Sequence, residues 1–407
     1  MTTAREDLRA PWPRILGECS IRIWGLSSTE RLQRQLRNAG VDAAGGHSPV
    51  AERSVVLLRA DYVYDQRIIQ SLVQAHDVLL EANSANQRVP VAAHVSAPYA
   101  IAAERLLLGE TSADTDVPLR RTSAEGLSGA YIEELLKSEP PLLLPLRAEH
   151  KDEIERRLFD GSYKGVTDVV TKYIWPIPAR WATRFCSNTG IRPNHVTLFA
   201  LGCVLVATAL FAFGWFATGL VFAWFMTFLD TVDGKLARVT IDSTRLGHAL
   251  DKGVDIIHPP FWYIAWGFGL SSTPFAMAPD VLTQVLIATV AGYIFGRLAE
   301  GAFTVFLGGF SMFTWRPFDS SFRLVLARRN PSLIVLTISL LCGRPDLGLL
   351  VVALWHVISA VILLARFFQG VYVRLTDGPL SPWLQAAGRA PAAAPDFSAA
   401  ARDSRVT

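Results

Sequence analysis

The sequence predicts a soluble α/β domain followed by a membrane all-α domain with six transmembrane helices. Three observations carry that expectation. The 407 residues are 51% hydrophobic, too apolar for an ordinary soluble enzyme, and the apolar residues concentrate in the second half. No charged residue occurs from Val196 to Leu229, enough for two helices that meet near Gly214 and Trp215. Residues 1–145 instead alternate short apolar runs with amphipathic ones, the pattern of strands and helices in turn.

Taken in order, the head should place strands at SIRIWGL, SVVLLRADYV and VPVAAHV, with helices at SSTERLQRQLRNAGV and DQRIIQSLVQAHDVLLEA. Residues 146–192 read as a charged linker helix and then an amphipathic juxtamembrane segment. Its Tyr173, Trp175 and Trp181 suit the membrane interface, with the segment lying flat. The membrane domain, 193–376, should contain the two helices already named, the second running through Asp230 toward Arg238. Further spans are expected near 251–270, 281–306, 331–342 and 347–372. The tail, 377–407, is rich in Ala and Pro without an apolar period and reads as disordered.

Charge sets the orientation. Arg180, Arg184 and Arg192 precede the first span, and Lys235, Arg238, Arg245 and Lys252 lie between the second and third. Arg316, Arg323, Arg328 and Arg329 lie between the fourth and fifth, and Arg374 follows the sixth. All these connections fall on one side, so both termini and that side should be cytoplasmic at the inner membrane. The start, MTTAREDLRAPWPR, has no apolar h-region, so no cleaved signal peptide is expected. A net charge of +3 without a lysine-rich tract argues against a nucleic-acid partner. Cys19, Cys186, Cys203 and Cys342 lack the spacing of a zinc site or a disulfide frame.

The chemistry concentrates in DTVDGKLARVTIDSTRLGHALDKGVD, where Asp230, Asp233, Asp251 and Asp255 stand at the edge of an apolar run. At 100° per residue, Asp230, Asp233, Gly234, Ala237 and Arg238 share one stripe, while Asp251 and Asp255 lie one turn apart on the next helix. Folded together, the two helices make an acidic pocket. Carboxylate oxygens suit Mg²⁺ or Mn²⁺, and two such ions about 3.5–4 Å apart clamp a displacement at phosphorus. Gly234, Ala237 and Gly247 leave room for a nucleotide to approach the backbone.

The spacing from Asp230 through Asp233-Gly234, Ala237-Arg238, Gly247 and Asp251 to Asp255 resembles the signature of the CDP-alcohol phosphotransferase family at every position. GIRPNHVT, ahead of the first apolar run, is similar to that family's approach to its first membrane helix, and the resemblance covers roughly Lys164 to Arg374. It implies transfer from a CDP-alcohol donor to an alcohol acceptor, with CMP released and no covalent enzyme intermediate. It further implies two Mg²⁺ or Mn²⁺ ions on Asp230, Asp233, Asp251 and Asp255, with Asp255 as general base, and a homodimer among membrane lipid. Arg238 would neutralise pyrophosphate oxygens, for which a guanidinium fork is well suited; its plainer role is a positive-inside anchor.

KGVTD and the PIPARWATRF that follows are similar to the juxtamembrane region of members that handle inositol phosphates, often fused to a cytidylyltransferase. Arg297 and Glu300 lie one turn apart inside an apolar run, as an ion pair or as a substrate contact. Arg323, Arg328 and Arg329 cluster near the expected pocket mouth, where they would either take the phosphate of a polyol phosphate acceptor or serve as topological anchors. His248, His258 and His356 lack metal-site spacing and read as packing residues.

The head is similar to sugar-nucleotide nucleotidyltransferases, a Rossmann-like fold in which an Asp after the second strand helps bind metal; Asp61 takes that place. Such enzymes need a glycine-rich basic loop, and Gly17 is the only glycine before the first clear strand, so the head is expected to be degenerate and noncatalytic. Two other classes compete for the whole chain. A cation-coupled transporter would place carboxylates near midplane and show internal repeats, but no second copy of the Asp motif exists. An inactive receptor would have lost a motif position, and none is lost.

Overall fold

The computed structural model describes residues 10–41, 54–84, 87–110, 118–242 and 245–387, apart from the side chains of residues 84, 245–246 and 248–252. The head contains β1 (Trp12–Leu16), α1 (Ser28–Asn38), β2 (Val55–Arg59), β3 (Tyr62–Tyr64), α2 (Gln66–Gln74), β4 (Val78–Ser84), β5 (Gln87–Val95), α3 (Ala100–Leu108) and β6 (Arg120–Ser123). Five of these strands form one sheet in the order β1-β2-β5-β4-β6. It is mixed: β1 and β2 are parallel, β5 runs antiparallel to both its neighbours, and β6 is parallel to β4. The head is therefore α/β as expected, but its sheet is not an all-parallel Rossmann sheet.

Two local expectations are corrected. SIRIWGL is not a strand. Trp24 and Gly25 both take positive φ, 50° and 75°, and close a tight turn held by an isolated bridge between Ile23 and Leu26. The first strand is WPRIL, where Pro13 reads as a breaker yet is tolerated because β1 is an edge strand. The second helix ends at Gln74, and VLLEA, expected in that helix, belongs to β4 instead. Val78, Leu79 and Leu80 are all buried between β5 and β6, and a short run buried on both faces carries no period to separate strand from helix. α1 begins with a capping box: Glu30 N–H donates to Ser27 Oγ, and Ser27 N–H donates to Glu30 Oε2 at 2.8 Å.

A short helix α4 (Ala124–Ser128), the hairpin of β7 (Tyr131–Ile132) with β8 (Lys137–Ser138), and β9 (Leu143–Pro145) paired to β3 lead to α5 (Lys151–Gly161). A π-helical turn at Val170–Ile174 precedes α6 (Pro176–Thr189). Tyr173, Ile177, Trp181 and Phe185 form an exposed apolar stripe here, but Trp175 does not join it. Its ring packs edge-on against Trp224 and Phe228, so it anchors the juxtamembrane segment to the bundle rather than facing the interface.

The bundle comprises α7 (Pro193–Ala212), α8 (Phe216–Val239), α9 (Arg245–Leu270), α10 (Pro279–Ala302), the short α11 (Pro317–Phe322), α12 (Arg329–Leu341) and α13 (Pro345–Thr376), with α14 (Trp383–Ala387) after it. Proline in the first turn starts α7, α10 and α13, where no intrahelical N–H is lost. Among the described residues, four helices are long and apolar enough to cross a membrane: α7, α8, α10 with its continuation to Gly308, and α13. α12 is shorter, at 13 residues, and α9 opens with the polar stretch RLGHALDKGVD. Gly214, at φ 76°, turns α7 into α8, and a Cβ on Gly269 would lie 2.0 Å from Phe211 O, so α9 returns against that turn on bare backbone.

The head and bundle share a core. Ile23, Trp24, Val63, Leu146, Ile154 and Phe159 form one buried cluster with Val196, Val232, Leu236 and Val239. The C-terminal end of α8, which carries the acidic motif, is thereby packed into the head.

Candidate active site

α8 carries the first half of the acidic motif and α9 the second. Asp230 and Asp255, from different helices, meet on one guanidinium: Arg329 Nη2 lies 2.5 Å from Asp230 Oδ2, and Arg329 Nη1 lies 2.6 Å from Asp255 Oδ1. Two carboxylates this close repel, and a countercharge between them is what makes the arrangement tolerable. Arg329 stands at the start of α12, so three helices converge here.

Asp233, one turn along from Asp230, is buried and accepts a hydrogen bond from Thr197 Oγ1 at 2.6 Å. Thr197 is the last residue of GIRPNHVT, which ties that segment physically to the motif. Replacing Thr197 with Val keeps the shape and removes the donor. Turnover should fall about tenfold, the effect of losing roughly 1.5 kcal/mol of positioning hydrogen bond. Initial rates of the purified variant check this, and a wild-type rate would contradict it.

Arg238 folds back along its own helix, donating to Gly234 O at 3.0 Å and to Ser162 O at 3.4 Å. Lys235, expected only as a positive-side residue in a connection, is instead buried within α8, with its Nζ 3.4 Å above the Tyr163 ring and 3.3 Å from the same Ser162 carbonyl. Ala237 is half-buried on α8, and Gly247 lies on the first turn of α9. The side chain of Asp251 lies outside the described residues, as does that of His248. Among the described residues no three His, Cys, Asp or Glu side chains converge as a ready metal site.

Two prolines follow Asp255 in α9. Pro259 and Pro260 sit inside α9, and a proline removes the hydrogen bond to the carbonyl four residues earlier. For Pro260 that carbonyl is Ile256 O, and Tyr293 Oη donates to it at 2.8 Å. Tyr293 Oη in turn accepts from Arg297 Nε at 3.3 Å. Arg297 reaches Glu300 at 3.7 Å, and Arg328 makes a close ion pair with the same Glu300. Of the two readings open for Arg297 and Glu300, the ion pair is present, with Arg328 added from the far side of the connection.

Arg328 lies 5.4 Å from the Phe313 ring centroid, and Arg323 lies 5.6 Å from it. Its buried Nη1 has no hydrogen-bond partner. Burial pushes the Arg323 guanidinium down to about 9, and neighbouring Arg328 adds to the fall while Asp168 opposes it. Asp168, from KGVTD, accepts from Asn330 Nδ2 at 2.9 Å and from Thr171 Oγ1, which secures the first turn of α12 next to Arg329. His258 and His356 both bond to the carbonyl four residues back in their own helices, as packing residues do.

Residues 191–314, which hold all eight motif positions and Thr197, match the model of the CDP-alcohol phosphatidyltransferase family. The chain matches that family over this stretch, which is less than half of its length. It is similar to the phosphatidylinositol phosphate synthase of Mycobacteroides abscessus, 30% identical over 110 residues that make up 25% of this chain and 50% of that protein. The match therefore spans half the length of that relative. A crystal structure of Mycobacterium tuberculosis phosphatidylinositol phosphate synthase with CDP-DAG bound superposes with a TM-score of 0.34 at 20% identity, covering 46% of this chain and 92% of that one.

Proposed function

We propose that the chain is a membrane transferase that moves a substituted phosphoryl group from a CDP-alcohol to an alcohol acceptor and releases CMP. The observation that carries this reading is the meeting of Asp230 and Asp255 on one guanidinium, inside the family-matched segment. The acceptor hydroxyl attacks the phosphorus that bears the donor alcohol. A new P–O bond forms, the bond to the CMP phosphate oxygen breaks, and CMP leaves with that electron pair. The hydroxyl proton passes to Asp255. Arg238 would turn from the Gly234 carbonyl to the pyrophosphate, and Gly234, Ala237 and Gly247 would let the nucleotide lie close to the helices.

Asp230, Asp233, Asp251 and Asp255 would hold two divalent ions, Mg²⁺ or Mn²⁺. The residues fit: the donors are hard oxygens, and two of them already require a countercharge. Bound there, the ions supply neutralising charge at the transferring phosphate. Arg329 would then be released from the carboxylates toward the acceptor.

A polyol phosphate is the acceptor we favour. Arg323, with its unpartnered buried donor, lies near Arg328, which shares Glu300 with Arg297, and Arg329 follows Arg328 in the chain; a group of cations like this suits an anionic acceptor. The name of the Mycobacteroides abscessus relative directs the choice to an inositol phosphate. The donor would be CDP-diacylglycerol or a soluble CDP-alcohol such as CDP-inositol. In this reading α9 and α12 complete six spans, the Lys- and Arg-rich connections and both termini face the cytoplasm at the inner membrane, and the chain works as a homodimer.

The head would be noncatalytic. Arg59 grips Asp61 through two bonds, at 2.9 and 2.6 Å, which occupies the carboxylate that would otherwise bind metal. With CTP and a sugar or polyol phosphate, purified protein should release no pyrophosphate. Steady release that Asp61→Ala abolishes would make the chain bifunctional.

Mass spectrometry of products tests the assignment. Purified protein with Mg²⁺ is given a panel of CDP-alcohols and polyol phosphates. The expected result is a phosphodiester formed from one donor and an inositol phosphate, in step with CMP. Products from a neutral alcohol alone would remove the acceptor assignment.

A further inference from the structure

α8 ends in a closure that is normally built on glycine. Asp242 N–H donates to Ala237 O at 3.0 Å and Ile241 N–H to Arg238 O at 3.4 Å, the paired bonds of a Schellman motif, with Ile241 between them at φ 53°. The left-handed region is strained for any β-branched residue and persists only where the surroundings impose it. Two carbonyls of that last turn remain, on Val239 and Thr240. The head takes both: Arg31 Nη1 donates to Val239 O at 2.9 Å and Arg34 Nη1 to Thr240 O at 2.8 Å.

Both arginines stand on α1, 206 to 208 residues away along the chain. Arg31 is buried; burial pushes it down to about 10, so it remains a cation at neutral pH, with Asp65 opposing the fall. Two cations at a helix C-terminus also favour the helix dipole. Hydrophobic packing holds α1's domain in place behind them, since Ile23, Val63 and Phe159 share one cluster with Leu236 and Val239. Trp24 fastens the same corner through its N–H and its indole N–H, which bond to Glu155 Oε1 and Glu155 O, each at 3.0 Å.

The place matters because the cap is made on the motif itself. Ala237 and Arg238 are motif residues, and the chain leaving Ile241 leads to Gly247 and Asp255. We propose that the head is a positioning domain for the membrane active site. Arg31 and Arg34 complete the C-terminal cap of α8, hold Ile241 in its left-handed turn, and so fix how the second half of the acidic motif is delivered to the first. This rests on the transferase reading above. It gives a degenerate head a function that needs no nucleotide chemistry of its own.

The test uses the full chain with Arg34→Met, Arg34→Lys and Arg31→Met, reading kcat, donor KM, melting temperature and amide exchange at Ile241 and Asp242. Arg34→Met should lower kcat about tenfold with donor KM within about twofold, because misplacing the motif halves harms the reacting geometry more than donor binding. Exchange at Ile241 and Asp242 should quicken at unchanged melting temperature. Arg34→Lys keeps a donor for the Thr240 carbonyl and should restore both readouts. Arg31→Met should have the larger effect; if it fails to fold, Arg34→Met decides. Wild-type kcat and wild-type exchange in Arg34→Met would overturn the proposal. If the wild type releases no CMP, the transferase reading fails, while the exchange data still decide whether the head holds the cap.

Discussion

Asp230→Asn will reduce CMP release by at least about a thousandfold while leaving the protein folded, because several kcal/mol of stabilisation at phosphorus depend on the carboxylate charge. Asn matches Asp in volume and still accepts a hydrogen bond from Arg329, so packing around α8 should hold. The loss should appear in kcat rather than in KM, since the charge is needed most where negative charge develops on the transferring group. Steady-state rates with a fluorescence melting curve measure both quantities. Activity within about threefold of wild type, at an unchanged melting temperature, would remove Asp230 from the reacting centre, because a group acting at phosphorus is worth far more than that.

Arg329→Ala should have two separable effects. Without divalent cation the variant leaves Asp230 and Asp255 facing each other unneutralised, and stability should fall by about 1–3 kcal/mol, less than for a fully buried pair because Asp255 is partly exposed. Added Mg²⁺ should then raise the melting temperature of the variant more than that of the wild type. With Mg²⁺ present, the acceptor KM should rise at least about tenfold while the donor KM changes little, the loss of a charge-assisted contact to phosphate. Single Ala substitutions at Arg323 and Arg328 should move the acceptor KM in the same direction. Equal changes in both KM values would place this cluster at the pyrophosphate instead.

The acidic motif was legible because its spacing is helical. Asp230 and Asp233 fall on one stripe of α8 and Asp255 on a second helix, so their convergence follows from a single fold-back between them. The partners that hold them were not legible. Thr197 lies 36 residues before Asp233, and no periodicity links a hydroxyl on one helix to a carboxylate on another. Tyr293 had a signal that went unread: the Pro259-Pro260 pair inside an apolar run orphans a carbonyl that some donor must satisfy. The Arg297–Glu300 pair was visible one turn apart, but Arg328, 28 residues on, could be added only in three dimensions.

In the head, composition identified the α/β class and mislaid two elements for opposite reasons. Pro13 disguised an edge strand, and the uninterrupted burial of Val78 to Leu80 disguised a central one. The head's grip on α8 could not be foreseen at all. Arg31 and Arg34 read as the polar face of an amphipathic helix, and only the docked structure shows that this face meets helix carbonyls rather than water.

The most direct measurement is the stoichiometry of transfer. Purified full-length protein in liposomes with Mg²⁺, a CDP-alcohol and a polyol phosphate is sampled over time for CMP and for the new phosphodiester. The account predicts that the two appear in equal amounts, that neither appears when donor or acceptor is omitted, and that Asp255→Asn stops both. Cation flux across the liposome with no CMP and no phosphodiester would contradict it and return the carboxylates to a transport role.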